Sequence, residues 1–303
     1  MKLFATPDYF KRFIDPLCAS DPDMIPGDFE IGHYPNGETY AKINENINDE
    51  DCFVVSSVAP PDSQLVSLLV LINALQKNKA KSIQIFLPYL AYSRQDEFIS
   101  GEDVGIALIG SLLKAAGANK IITIDAHSDR DGKLIGLPLV SIDPSFLFEP
   151  KIRDLRWDNI TIVAPDEGAI KRAQLMSDKL GHNRPVTYFI KQKIDNKIAN
   201  LKMIGDIGPN VVIVDDIIDS GQTLISVSKM LLEKGAQKII IAATHGLFTD
   251  RFLDELSKLN VELLLVSDTC PEVVKQKNPI IKMVDLERLL PIALIEQLKE
   301  PST

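Results

Sequence analysis

The chain has 303 residues, 45% hydrophobic and 25% charged, with a net charge of −9. This is an ordinary globular composition, and the length predicts about two domains. The acidic balance argues against non-specific nucleic-acid binding, and the most apolar run, Leu65–Leu75, falls short of the roughly 20 residues of a membrane span.

Met1–Pro7 lacks the apolar core of a secretory signal, so the expected location is cytoplasmic, with no membrane partner. Cys18, Cys52 and Cys270 are far apart and form no C-x-x-C pair, so they read as free thiols.

In chain order, the predicted strands are Asp51–Ser57, Ser82–Leu87, Lys120–Asp125, Thr161–Ala164, Val211–Val214, Lys238–Thr244 and Val261–Ser267. These runs are nearly continuously apolar, as parallel strands buried on both faces are. Between them, Leu65, Leu68, Leu69, Ile72 and Leu75 recur at helical spacing. So do Val104, Leu108, Leu112 and Leu113, and then Leu224, Val227 and Leu231. Strand–helix–strand alternation predicts an α/β fold with right-handed crossovers.

A faint repeat joins Gly117-Ala118-Asn119-Lys120-Ile121-Ile122 to Gly235-Ala236-Gln237-Lys238-Ile239-Ile240, and His127 and His245 follow at matching positions. Duplication of one α/β unit and mere recurrence of a helix–glycine–strand construction both explain it. Pro144, Pro150 and a charged stretch mark a boundary near 144–157, so the expected domains are 1–146 and 147–303.

The most informative segment is Val211–Thr223. A buried strand ends in Asp215 and Asp216, and Asp219, Ser220, Gly221, Gln222 and Thr223 form a turn into a helix. Parallel α/β sheets bind ligands at this end of their strands. A helix N-terminus offers free N–H groups and a positive dipole end to a phosphate. Gly221 permits close backbone approach, Ser220 and Thr223 carry hydroxyls, and the two carboxylates suit a ribose diol or a magnesium ion.

The segment resembles the binding signature for phosphoribosyl pyrophosphate (PRPP) shared by type I phosphoribosyltransferases and PRPP synthetases. Other segments are similar to the synthetases in particular. Tyr34-Pro35-Asn36-Gly37-Glu38 matches their aromatic-x-Asp-Gly-Glu turn, with Asn36 in place of Asp. By that match Tyr34, Asn36 and Glu38 contact the adenine of a neighbouring subunit's ATP. Pro88–Asp96 resembles Pro-Tyr-x-x-Tyr-x-Arg-Gln-Asp, which assigns Arg94, Gln95 and Asp96 to ATP. Arginine suits phosphate because its planar fork stays charged.

Asp125-Ala126-His127 matches Asp-x-His and implies that His127 faces the ATP phosphates and helps hold magnesium. Pro165-Asp166-Glu167-Gly168 matches Pro-Asp-x-Gly and makes Asp166 a magnesium ligand or a water-mediated partner. Lys191 matches a lysine that heads a loop closing over the transition state, and Lys193 stands where arginine is usual. The segment through Asp195 to Met203 departs from the family's loop.

The resemblance implies two similar type I phosphoribosyltransferase-like domains, each a mainly parallel sheet flanked by helices, with the active site at their interface. It implies transfer of a pyrophosphoryl group from Mg-ATP to ribose 5-phosphate, with Lys191, Lys193 and Arg94 stabilising charge. Asp219–Thr223 would hold the 5-phosphate, and Asp215 and Asp216 the ribose hydroxyls. It also implies a homo-oligomer, dimer-based and up to a tetramer or hexamer. Two alternatives stay open: a non-catalytic regulatory homologue, prompted by Lys193 and Asn36, and a PRPP-consuming transferase.

Overall fold

The apolar runs fold into two mostly parallel sheets, in a computed structural model that describes residues 1–94, 100–101, 103–128, 130–181, 186–194, 197–249, 251–270 and 277–299. The chain divides into two compact units, Met1–Asp143 with Glu287–Thr303, and Pro144–Leu286. Among the described residues, no helix is long and apolar enough to cross a membrane.

In the first unit the strands are β1 (Lys2–Ala5), β2 (Ile25–Pro26), β3 (Phe29–His33), β4 (Thr39–Ile43), β5 (Asp51–Val55), β6 (Ser82–Leu87), β7 (Lys120–Ile124) and β8 (Leu139–Ile142). Six of them form a parallel sheet in the order β2-β1-β5-β6-β7-β8. Its inner strands β1, β5, β6 and β7 are buried along most of their length, with Phe53, Val54, Ile85, Phe86, Ile121 and Ile122 inaccessible to solvent, while the edge strand β2 is exposed.

β3 and β4 form a separate antiparallel hairpin. Glu45 ties its base to the sheet, accepting hydrogen bonds from Lys2 Nζ at 2.6 Å and the Asp28 amide at 2.8 Å. Burial raises the Glu45 pKa, but those two donors outweigh it and the net direction is down.

The Ser63–Lys77 helix buries Leu68, Ile72 and Leu75 as expected, together with Leu71. Of the stripe that its spacing suggested, the Gly105–Ala116 helix buries Leu113, while Leu108 is 57% exposed and Leu112 is 37% exposed. Its inner face is Ile106, Ile109, Gly110 and Leu113. Only Ser111 and Lys114 are polar, so the apolar surface is wider than one face and periodicity alone could not choose which part of it is buried. Gly110 chose it: a Cβ there would sit 2.0 Å from the Ile135 carbonyl oxygen, so this side lies against the Asp131–Ile135 helix.

The C-terminal helix, Leu286–Lys299, belongs mostly to the first unit, where the buried Lys120 ammonium donates to the Gln297 carbonyl at 3.0 Å.

In the second unit the strands are β9 (Ile160–Ala164), β10 (Thr187–Ile194), β11 (Lys197–Ile204), β12 (Asn210–Ile218), β13 (Lys238–Gly246), β14 (Val261–Ser267) and β15 (Ile281–Val284). They form one sheet in the order β11-β10-β9-β12-β13-β14-β15, antiparallel only at the β10–β11 edge. Residues 197–204, expected within a loop, are thus a strand paired back onto β10. β12 also runs further than expected, through Asp215 and Asp216 to Ile218, because parallel pairing with β13 continues to Gly246. The Gln222–Glu233 helix buries Leu224, Val227 and Leu231 as their spacing predicts.

Gly110→Ala should destabilise the chain by about 2 kcal/mol, overpacking against a backbone carbonyl outweighing the gain in helix propensity. A urea midpoint unchanged from the parent would refute that packing.

Candidate active site

The order of strands in the second unit locates a ligand crevice. From β9 the chain steps outward to β10 and β11, then returns to place β12 on the other side of β9 and continues to β13. Where the winding direction reverses, the connections leave the carboxyl ends of the two strands in opposite directions, and a crevice opens between them. Asp166 follows β9, and the Asp215–Thr223 segment ends β12, so both stand at this point.

Successive side chains of a strand point to opposite faces. Asp216 is buried, and its Oδ2 lies 3.7 Å from the Arg172 guanidinium of the Ile170–Lys179 helix. Its amide donates to Asp215 Oδ1 at 3.0 Å. Asp215 has a pKa raised well above the usual carboxylate range, first by burial, then by the Asp216 and Asp166 carboxylates, with Arg172 opposing. Asp166 Oδ2 in turn meets Lys191 Nζ on β10 at 3.4 Å.

Asp166, Lys191, Arg172, Asp215 and Asp216 therefore interact as one group within this unit. Arg172 escaped the sequence reading because an arginine one turn into a helix carries no motif; its only signal was a cation on the inner half of an amphipathic helix.

The turn after β12 is tight. Gly221 sits at the N-cap of the Gln222–Glu233 helix with φ of +64°, and a Cβ there would lie 2.0 Å from the Phe252 ring. Gly221 has no side chain to cap this end, and the first amides of a helix lack intrahelical acceptors, which suits them to an anion. Ser220, Gly221 and Thr223 are partly buried around them and Gln222 is exposed.

In the first unit the candidate residues follow β6 and β7. In the turn after β6, Tyr89, Leu90, Ala91 and Ser93 are buried while Arg94 is exposed. Tyr92 adopts φ of +68°, unusual for an aromatic residue, and its hydroxyl donates to Asp62 Oδ1 at 2.7 Å. That hydrogen bond, followed by burial, raises the Tyr92 pKa. Gln95 and Asp96 lie outside the described residues.

After β7, Asp125 takes φ of +51° with its amide bonded to the Ile142 carbonyl, and His127 emerges exposed. Asp131 is fully buried and accepts from the Ser128 amide at 3.1 Å, closing the turn that presents His127.

Tyr34, Asn36 and Glu38 form the exposed tip of the β3–β4 hairpin, apart from the sheet that carries Arg94 and His127. Tyr34 is 54% exposed and packs on Tyr40. Asn36 Oδ1 accepts from the Glu38 amide, so the amide oxygen that replaces a carboxylate serves its own turn. The Lys193 side chain lies outside the described residues. The three cysteines are free, and burial pushes the Cys52 thiol up to about 12, leaving it a protonated core side chain.

Two helix-flanked, mainly parallel sheets with such a turn closing a central strand constitute the type I phosphoribosyltransferase-like fold. Comparisons with known proteins narrow this further. The family model for the N-terminal domain of ribose phosphate pyrophosphokinase matches residues 17–117, and that for the phosphoribosyl synthetase-associated domain matches residues 182–300. A ribose-phosphate pyrophosphokinase of Mycoplasma genitalium is 31% identical over 92% of this chain and 86% of the relative. One of Thermosipho africanus is 32% identical over 80% of this chain and 78% of its own. The crystal structure of phosphoribosylpyrophosphate synthetase from Mycobacterium smegmatis superposes with a TM-score of 0.83 at 28% identity, over 98% of both chains. The chain belongs to the ribose-phosphate pyrophosphokinase family of enzymes.

Two measurements test the charge cluster. Arg172→Met, which strands the buried Asp216 carboxylate, should cost about 3 kcal/mol in urea unfolding; a loss below about 0.5 kcal/mol would show that Arg172 does not neutralise Asp216. The second concerns Asp215, whose folded pKa is raised. Its stabilising proton is fully retained below the unfolded carboxylate pKa and is lost as pH rises through the folded value. Asp215→Asn should therefore stabilise the ligand-free chain at neutral pH, with the advantage vanishing below about pH 4. A stability difference that stays constant across that range would contradict the assignment.

Proposed function

We propose that this chain transfers the pyrophosphoryl group of Mg-ATP to the C1 hydroxyl of ribose 5-phosphate, forming PRPP and AMP. The observation that carries this reading is the end of β12, where a carboxylate pair and an uncapped helix N-terminus lie within one short segment. Their chemistry suits the two ends of a ribose phosphate. Asp215 and Asp216 accept from ribose hydroxyls, and the amides and hydroxyls of Ser220–Thr223 bind the 5-phosphate, with Asp219 in the same turn. Family membership supplies the nucleotide half. Arg94 and Gln95 bind the nucleotide and its phosphates, Asp96 belongs to the same ATP site, Tyr34, Asn36 and Glu38 take adenine, and His127 faces the phosphates.

Phosphoryl-type transfer depends on positioning and charge neutralisation more than on covalent chemistry. Lys191, Lys193 and Arg94 are the cations assigned to the transferred group. In the ligand-free chain Lys191 rests against Asp166, a pair exposed enough to exchange readily for phosphate contacts.

Among the described residues no cluster of three or more histidine, cysteine or carboxylate side chains forms a metal cage. That suits a magnesium ion carried on ATP oxygens, which needs only one or two protein donors. Asp166 offers a hard oxygen for it, and His127 is the second candidate. When bound, the ion neutralises phosphate charge.

The exposed tip at Tyr34 suits service to a neighbouring copy, hence a homo-oligomer. We assign residues 1–146 to ATP and 147–303 to ribose 5-phosphate, and place the enzyme in the cytoplasm.

The test is incubation of the pure protein with ATP, Mg²⁺ and ribose 5-phosphate while AMP and PRPP are followed. Ribose 5-phosphate-dependent AMP formation is expected, and its absence sinks the reading. Lys191→Ala should lower kcat by at least about a hundredfold while ribose 5-phosphate binding changes little. Unchanged turnover would remove Lys191 from the mechanism.

A further inference from the structure

We propose that Thr249 is a positioning residue for the phosphate-binding turn, fixing Asp219 so that the turn presents its amides to a phosphomonoester. The inference rests on the assignment of Asp219–Thr223 to the 5-phosphate.

The segment after β13 continues in step with the turn after β12, beyond their last paired residues, Ile218 and Gly246. The Ile218 carbonyl accepts from the amides of Leu247 at 2.8 Å and Phe248 at 3.2 Å. One residue further, the Thr249 amide donates to the Asp219 carbonyl at 3.1 Å, and the Thr249 hydroxyl donates to Asp219 Oδ1 at 2.6 Å. Asp219 is thus held through its backbone and its side chain by the same residue. The hydroxyl–carboxylate bond has the short length of a charge-assisted one.

The far side of the turn is held as well. Phe248 takes φ of +52°, a conformation that an aromatic residue adopts only when its surroundings impose it. Its ring stacks on Phe252 with centroids 6.2 Å apart and planes 5° from parallel. Phe252 occupies the space that a Cβ at Gly221 would need. Residues 247–249 and Phe252 therefore clamp both ends of the Asp219–Gly221 bend.

The clamp answers an electrostatic difficulty. A carboxylate in a phosphate-binding turn repels the phosphate unless it is directed away and its charge is engaged. The Thr249 hydroxyl binds one Asp219 oxygen and directs that carboxylate toward the end of β13. The bond is on the exposed side of the chain, so it is cheap to remove in folding terms and its loss should register in ligand geometry.

The experiment compares Thr249→Val, which keeps the shape and removes the hydroxyl, with Thr249→Ser, which keeps the hydroxyl. Both are made in the full chain. KM for ribose 5-phosphate and for ATP are measured separately, and binding of ribose 5-phosphate and of inorganic phosphate is measured by calorimetry without turnover. Thr249→Val should weaken ribose 5-phosphate and inorganic phosphate about tenfold and leave KM for ATP within about twofold, while Thr249→Ser stays within about threefold of the parent throughout.

Unchanged phosphate affinity in Thr249→Val overturns the inference, as does an equal loss for ATP, or a serine variant as damaged as the valine one. A parent chain that binds ribose 5-phosphate but forms no AMP ends the synthetase reading alone. In that case a tenfold binding loss in Thr249→Val still supports the clamp. A parent chain that binds neither ribose 5-phosphate nor inorganic phosphate overturns both.

Discussion

The reversal of winding between β9 and β12 is the constraint on which the functional half of this protein depends. In a parallel sheet every strand ends at the same edge, and crossover connections normally cover that edge. Only where successive connections depart in opposite directions is a strand end left open to a ligand. β12 fills that position, and its apolar stretch, Val211–Val214, anchors it in the core before the polar residues begin. The first unit has its reversal between β1 and β5, yet its candidate residues follow β6 and β7. The two sheets thus present their chemistry from different places in similar frames.

Placing several charges at one strand end has an energetic cost, and the structure meets it locally. Asp216 is taken out of water beside Arg172, while Asp215, pressed first by burial and then by the Asp216 and Asp166 carboxylates, is pushed toward its neutral form. Asp166 is partnered by Lys191 at the more exposed rim, where such a pair contributes little to stability and exchanges easily. The turn itself relies on shape instead: Gly221 in a left-handed conformation against Phe252, with Thr249 holding Asp219. Close packing and a hydroxyl–carboxylate hydrogen bond set the backbone, and the labile ion pair lies at the exposed rim.

Much of this was legible in the residues. Continuous apolar runs announced parallel strands, and Val211–Thr223 announced its strand and its helix, because strand burial and a glycine-led helix start are local properties. The stripe at Leu108 and Leu112 misled, since the apolar surface of this helix is wider than one face and a neighbour selects which part of it is buried. Gly110 against Ile135 made that selection. Residues 197–204 read as a loop because nothing in their own composition says that β10 will pair with them.

By itself, then, the sequence determined the α/β class, the central strands of both sheets, the strand–turn–helix at Val211–Thr223 and the family, all of which depend on residues close together in the chain. Tertiary structure alone decided which residues support that turn. Arg172 lies more than forty positions before Asp216, and Thr249 lies thirty beyond Asp219. Neither carries a motif, because the partner that gives each its meaning is supplied by the pairing of β12 with β9 and β13. A contact across the sheet depends on which strands become neighbours, and that is a property of the folded chain as a whole.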